Sequence, residues 1–445
     1  MTVARPIPPL AKPRTGRLPV VTEQTISNGL RVLVVRRPGA PLVELRLRIP
    51  FARKGGKGDA AALAGAQVLS DTLLTGTSSR SATQIAEQVQ GLGAQLSVGV
   101  DPDRLALSGS VLSSGFGPLL ELVGDVLAHA SYPKKEVVGE RDRLVTGLAM
   151  YRSQAGVVAR EALLARLYGA HPYAREVPAA DDVAEVKAGR LRRLHAERVC
   201  PSGSVLVVVG DLQPARVFTE VERALAGWTA QAAAVEAPPA APAAVGPALL
   251  VDRPGAVQTT LRWARFAPGR TDPVYPALAL ANMVFGGYFS SRWSANIRED
   301  KGYTYGAQSG FEHPRAGSRL VLGSDVATEV TAPAVLESLY ELGRVATVAV
   351  DQDELDQARR YAIGSLQVGV ASQAGLASLV ATLDTAGLGV DYLREFPLAL
   401  QRVSVDDALA AAAQYLRPDG LTTVVVGDAA RIGEPLSRLL PTETA

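Results

Sequence analysis

Alternation of apolar and polar positions sets the first elements. Gly29 to Arg36 (GLRVLVVR) is a compact β-branched run. In PLVELRLRIP, Val43, Leu45, Leu47 and Ile49 fall on one side with polar residues between them. That period of two predicts half-buried strands of an antiparallel sheet covered on one face. Residues 60–76 read as an apolar helix closing near Gly76. Thr83 to Leu92 carries Ile85, Val89 and Leu92 at helical spacing. SVGVDPDRLALSGSVL predicts a strand pair around a proline-containing turn. Helices are expected over 119–129 and, as one element, 136–167.

A repeat organises the rest. PSGSVLVVVGD (201–211) and PDGLTTVVVGD (418–428) agree at seven of eleven positions, at a constant offset of 217. Each stretch follows a helix, passes a glycine turn and enters a β-branched strand. A weaker echo pairs the helix at 60–76 with PVYPALALANMVFG. An offset of about half the chain reads as a tandem duplication. Between the copies, TAQAAAVEAPPAAPAAVGP (229–247) is an Ala/Pro linker. The expected architecture is α+β, with two homologous domains over 20–228 and 248–445. Each is an antiparallel-rich sheet with helices packed on one face, and it is not a doubly wound fold.

Composition narrows the function classes. In 445 residues, 46 basic side chains nearly balance 44 acidic ones, which argues against a polyanion such as nucleic acid as partner. The lone Cys200 can form neither an internal disulfide nor a cysteine zinc site, and a buried inert thiol is expected. The N-terminal segment is interrupted by prolines and lacks an apolar signal core, and no apolar run reaches membrane-spanning length. A soluble, cytoplasmic chain without membrane contact is expected.

Local catalytic motifs are scarce. GGKGD (55–59) lacks the leading glycine and the hydroxyl residue of a phosphate loop. GLGAQL (91–96) follows a helix where a dinucleotide fingerprint follows a strand. There is no G-x-S-x-G elbow. None of His129, His171, His195 and His313 has a histidine four residues on, and His195-Ala196-Glu197 lacks the cysteine pair of a zinc deaminase. Capping and surface roles are expected for all four.

The order of these elements resembles the pitrilysin and mitochondrial-processing-peptidase family over nearly the whole chain. That family opens with a strand pair and a helix of form G-x-A-H-x-x-E-H-x-x-x-x-G-T, which Ala62 to Thr77 is similar to. His171-Pro172-Tyr173 resembles its HPY loop, and Arg298-Glu299-Asp300-Lys301-Gly302-Tyr303-Thr304-Tyr305 resembles its R-E-x-x-G-x-x-Y segment. The resemblance implies a clamshell of two halves and a zinc site whose positions here hold Gln67 and Asp71 for the histidines. Ser70 stands for the general-base glutamate and Gly147 for the third ligand. Gln, Asp and Gly are not a zinc set, and Ser70 cannot replace a carboxylate base without a base of its own. No metal is therefore expected in this chain.

Arg298 and Tyr305 survive. In the family such a pair faces the zinc from the opposite half and contacts the peptide. An arginine fork and a phenol suit the charge developing on a scissile carbonyl. Without the resemblance, a surface arginine and a core tyrosine explain them equally. Gly286 and Gly287, in FGGYFSSR, fit either a backbone lining the substrate path or a helix end. The expectation is a catalytically incomplete subunit of a heteromeric zinc endopeptidase. It is inactive alone, and zinc sits in a homologous partner that cleaves peptides. The alternative is a structural assembly protein of the core-protein type.

Overall fold

The computed structural model describes residues 19–231, 235–240 and 245–445; parts of the expected linker and the N-terminal segment lie outside the described residues. The first half runs β1 (Val21–Thr25), β2 (Arg31–Arg36), β3 (Leu42–Pro50), α1 (Asp59–Thr72), α2 (Ala82–Gly91), β4 (Gln95–Val100), β5 (Arg104–Leu112), α3 (Phe116–His129), α4 (Lys134–Arg152), α5 (Ala155–Tyr168), α6 (Ala180–Ala184), α7 (Ala188–Arg198), β6 (Val205–Gly210) and α8 (Pro214–Leu225). The second runs β7 (Ala248–Asp252), β8 (Gln258–Phe266), α9 (Tyr275–Asn282), α10 (Arg292–Ser294), β9 (Thr304–Glu312), β10 (Arg319–Ala327), α11 (Thr331–Thr347), α12 (Gln352–Gly369), α13 (Gln373–Thr385), α14 (Tyr392–Arg402), α15 (Val405–Tyr415), β11 (Thr422–Gly427), α16 (Ala429–Ser437) and β12 (Thr442–Thr444).

Five strands of the two sheets share one topology, and the sixth differs: β1 lies antiparallel to β2, whereas β12, from the end of the chain, lies parallel to β7. Strand order is β1-β2-β6-β3-β5-β4 in the first and β12-β7-β11-β8-β10-β9 in the second. In each, the strand carrying VVVG lies beside a parallel neighbour (β2 or β7) and an antiparallel one (β3 or β8). The outer hairpin is antiparallel in both. The 217-residue repeat is thus two equivalent central strands.

Where each half's own helices lie on one face, the other face takes a helix from the opposite half. Ala159, Leu163 and Leu164 of α5 pack on Ala264, Val424 and Val426 of the second sheet. Leu376, Ala377 and Val380 of α13 pack on Leu33, Val205, Val207 and Val209 of the first. This exchange explains why β6 and β11 are buried at every position: unbroken Val runs need cover on both faces. It also corrects the half-exposed reading of β3. Its polar residues Glu44 and Arg46 are buried beneath α13, paired at 2.9 Å, with Arg46 donating to Ser378 Oγ at 3.1 Å. A buried charge needs such a partner.

The expected single helix over 136–167 is two helices. Ser153-Gln154 breaks it, and the same Ser-Gln-Ala-Gly sequence recurs at 372–375 between α12 and α13, which are bent by 108°. Among the described residues no single helix is long and apolar enough to cross a membrane.

Polar links lock the halves together. Asp103 accepts from the Tyr173 hydroxyl and, at 3.0 Å, from the backbone N–H of Arg315. Arg160 and Glu176 join Glu312 and Arg319 in a four-membered ion cluster. The HPY turn belongs to this seam, with His171 Nδ1 accepting from the Tyr173 N–H at 3.1 Å.

Candidate functional site

α1, which carries Gln67, Ser70 and Asp71, packs against α4, which carries Gly147. Gln67 donates to the Asp71 carboxylate at 3.0 Å across one turn of α1. Burial raises the Asp71 carboxyl above its ordinary range; Gln67 opposes the shift, and the charge of Glu140 on α4 adds to it. Ser70 is buried and its Oγ makes no hydrogen bond. Gly147 faces open space where a side chain would stand. An amide bonded to a carboxylate, a buried hydroxyl and a glycine do not fit zinc, which takes thiolate, imidazole and carboxylate ligands. Among the described residues no three His, Cys, Asp or Glu side chains gather as a metal set.

The histidines are bonded within the fold. His195 Nδ1 meets the Tyr132 hydroxyl at 2.8 Å and its Nε2 the Leu127 carbonyl at 2.9 Å. His313 meets Tyr275 and Ser318, His129 meets Asp125, and His171 Nε2 meets the Pro238 carbonyl. Cys200 is buried.

The Arg–Tyr segment is built on a buried aromatic anchor. Trp293 stacks on Phe285 with ring centroids 5.3 Å apart and donates to Ser338 Oγ at 2.9 Å. From it runs a π-helical turn, Ala295–Asp300, whose Ile297 is fully buried and whose Asn296 amide donates to Glu337 and Glu341. Gly302, at φ +66°, adopts the left-handed conformation that returns the chain into β9. Arg298 leaves this turn toward the surface. Its guanidinium lies 3.7 Å from the centre of the Phe289 ring and bonds Glu299.

Tyr305 sits in a β-bulge. Thr304 pairs with Val326 and Ala307 with Ser324, so Tyr305 and Gly306 together oppose Asp325 alone. The bulge is stapled: Thr304 Oγ1 donates to the Asp325 carbonyl at 2.7 Å, and Ser324 Oγ donates to the Gly306 carbonyl at 3.0 Å. Such an irregularity re-aims a side chain, and Tyr305 is 97 % exposed. Arg298, on the π-helical turn, and Tyr305, in the β9 bulge, stand seven residues apart in sequence, with no direct bond between them among the described residues. Neither Phe289 nor the Thr304–Ser324 staple was foreseen from sequence; the aromatic residue inside FGGYFSSR was the available signal.

Gly286 and Gly287 close a second π-helical turn, Met283–Gly287. A Cβ on Gly286 would stand 2.8 Å from Ser309 Oγ and 3.0 Å from the Trp293 ring. Here the close backbone approach is to the protein's own β9, where Ser309 Oγ donates to Asn282 Oδ1 at 2.6 Å.

The two α+β halves repeat one architecture, and among the described residues no metal-ligating set gathers in either of them. Residues 43–181 match the Insulinase (Peptidase family M16) sequence family and residues 185–361 the Peptidase M16 inactive domain, between them most of the chain. The chain belongs to the peptidase M16 family, as a non-zinc-binding member. An uncharacterised zinc protease of Mycobacterium leprae is 26% identical over 306 residues, 68% of each chain. One of Streptomyces coelicolor is 24% identical over 420 residues, covering 91% of this chain and 86% of that one. A peptidase M16 inactive domain from Pseudomonas fluorescens superposes with a TM-score of 0.83 at 25% identity, covering 92% and 98% of the two chains. A protease from Helicobacter pylori shares the fold, with a TM-score of 0.81 at 17% identity, covering 92% of this chain and all of that one.

Proposed function

We propose that this chain is the non-catalytic subunit of a heteromeric zinc endopeptidase and lends Arg298 and Tyr305 to a homologous zinc-bearing partner. The observation that carries the reading is asymmetry between the halves. The α1–α4 positions hold an amide–carboxylate pair, a serine and a glycine, whereas the Arg298 turn is anchored by buried Trp293 and the Tyr305 bulge is stapled outward. The bulge is held by side-chain bonds from Thr304 and Ser324 while Tyr305 itself is turned out to solvent, which suits a target outside the chain. Arg298 supplies a fixed charge and Tyr305 a hydroxyl donor to the carbonyl oxygen of a peptide bound in the partner. The substrate class is an extended peptide or unfolded segment.

Co-expression with a homologue that carries H-x-x-E-H, followed by size measurement and zinc counting, tests the pairing. A mixed complex is expected with zinc only in that partner and with peptide cleavage by the complex. A complex that forms but cleaves nothing would favour the assembly-protein reading. The absence of any complex would defeat both.

A further inference from the structure

Each sheet ends, on the side of its outer hairpin, in a strand with no further strand beside it: β4 in the first half and β9 in the second. The ladders fix which way their backbone groups point. Asp101 and Arg104 exchange both N–H···O bonds, at 2.9 and 3.4 Å, at the tip of the β4–β5 hairpin. Bonded pairs recur at every second position of an antiparallel ladder. The register then makes Gly99–Ala106, Ser97–Ser108 and Gln95–Ser110 the bonded pairs. The N–H and C=O groups of Leu96, Val98 and Val100 therefore point out of the sheet, and they have no hydrogen-bond partner among the described residues.

The second half treats its edge differently. The Thr328 N–H donates to the Val257 carbonyl and the Ala267 N–H to the Ser318 carbonyl, so even-numbered residues of β10 bond β8 and odd-numbered ones bond β9. This directs the backbone groups of Ala307, Ser309 and Phe311 outward. That edge is closed by its own half: Ala307 and Ser309 are buried, both π-helical turns pack along β9, and the Asn282 amide donates to the Ser309 carbonyl at 3.4 Å. On β4 no residue is buried, and Gln95, Ser97 and Gly99 are exposed. Nor does β4 carry the charges or prolines that usually blunt an edge. Its sequence is QLSVGV, whereas the outer strand β1 carries Glu23 and β12 is only three residues long.

A pocket of about 280 Å³ lies at the Val100 end of this edge, with Phe51, Leu63, Ala66, Val100 and Pro102 as its apolar wall. Leu63 and Ala66 stand one helical turn before Gln67 and Ser70 on α1, which packs against β4. Of the charged groups that complete the lining, Arg53 is paired with Asp59, Asp101 with Arg104, and Glu176 with Arg160 and Arg319. Arg175 is exposed, and its guanidinium has neither an ion pair nor a hydrogen bond among the described residues.

We infer that the open edge of β4 and the pocket beside it bind an extended peptide, which adds to the first sheet as one more strand and is held without being cut. Backbone groups that repeat about every 6.7 Å are matched by the backbone of another extended chain. The pocket takes one apolar side chain, and the unpaired charge of Arg175 favours an acidic residue near it. The adjoining turn of α1 offers Gln67, Ser70 and Asp71, which are not a zinc set, so this half retains a peptide without the means to hydrolyse it. The site is separate from Arg298 and Tyr305 and needs no zinc-bearing partner.

Fluorescence anisotropy of the full chain alone, titrated against a labelled peptide of alternating leucine and glutamate, tests this. Saturable binding is expected, with the peptide recovered intact. Methylating alternate backbone nitrogens of the peptide should weaken binding about tenfold or more, since each lost backbone bond costs about two- to tenfold. Val98→Pro removes an outward N–H that no ladder bond uses, a change that edge strands tolerate, and should weaken binding about two- to tenfold. Arg175→Glu breaks no bond of the fold. It should leave the melting temperature unchanged and weaken the leucine–glutamate peptide about threefold or more. If Val98→Pro does not fold, the methylated peptide and Arg175→Glu still decide. Absence of saturable binding, equal affinity for the methylated peptide, wild-type affinity in a folded Val98→Pro or in Arg175→Glu, or cleavage of the bound peptide would overturn the site. Because no partner is present, such a failure leaves the proposed complex standing.

Discussion

The Arg298 guanidinium lies over the Phe289 ring, 3.7 Å from its centre, and Phe289 itself is 62 % exposed. The ring fixes the direction of a charge that Glu299 alone would leave free to swing. A contact of this kind is worth about 0.5–2 kcal/mol. Phe289→Ala should therefore slow peptide cleavage by the two-chain complex about tenfold while leaving its melting temperature within a degree or so. Phe289→Tyr should restore the rate. A loss of rate matched by a loss of stability would assign the ring to folding alone.

Gly286 separates structure from substrate contact. An added methyl meets Ser309 and the Trp293 ring at 2.8 and 3.0 Å. Gly286→Ala should destabilise the chain by about 1–3 kcal/mol, the usual cost of overpacking, measurable by urea unfolding without any partner. Unchanged stability would return Gly286 to the substrate path.

Asp71 is held in an unfavourable place for a carboxylate, partly buried and facing the charge of Glu140. Its folded pKa is raised, so the unfolded chain gives up the proton more readily and ionisation opposes folding above the ordinary aspartate range. Asp71→Asn keeps an oxygen for Gln67 and removes the charge. It should match or exceed wild-type stability at pH 7 and lose that advantage near pH 3. A clear loss of stability at pH 7 would refute this reading of the degenerate site.

Acid should loosen the seam in two stages. Burial and then the charge of Arg270 hold His313 down at about 4, so its neutral form is favoured by folding. That stability is present above the unfolded value near 6.5 and is lost as pH falls toward 4. Burial alone would raise Glu312, but Arg160 and Arg319 prevail and bring it to about 2. Its contribution is present above the ordinary glutamate range and is lost as pH falls through the folded value. Urea midpoints followed from pH 7 to pH 2 should fall across both windows. His313→Asn should flatten the first and Glu312→Gln the second.

The repeat was legible because seven identities in VVVGD-type strands mark the central strand of each sheet, and its neighbours follow the same order twice. The exchanged helices were not. A period-3.6 stripe on α5 or α13 says that one face is buried, but not which half buries it. The unbroken Val runs of β6 and β11 were the hint, since a strand covered on one side alternates. Alternation misled at Glu44 and Arg46, which are buried as a pair. At the site, the residues standing for zinc ligands could be counted off from Gly76-Thr77. The bulge that turns Tyr305 outward depends on Thr304 and Ser324, from different strands, and no local pattern announces such a pairing.

The most direct measurement is the peptide-cleavage rate of the zinc-bearing partner assembled with this chain or with its Tyr305→Phe variant, at equal zinc content and equal complex size. Removal of one donor to a developing oxyanion should lower the rate by about two to three orders of magnitude, with the complex intact. A wild-type rate in the variant, or chelator-sensitive hydrolysis by this chain alone, would contradict the account.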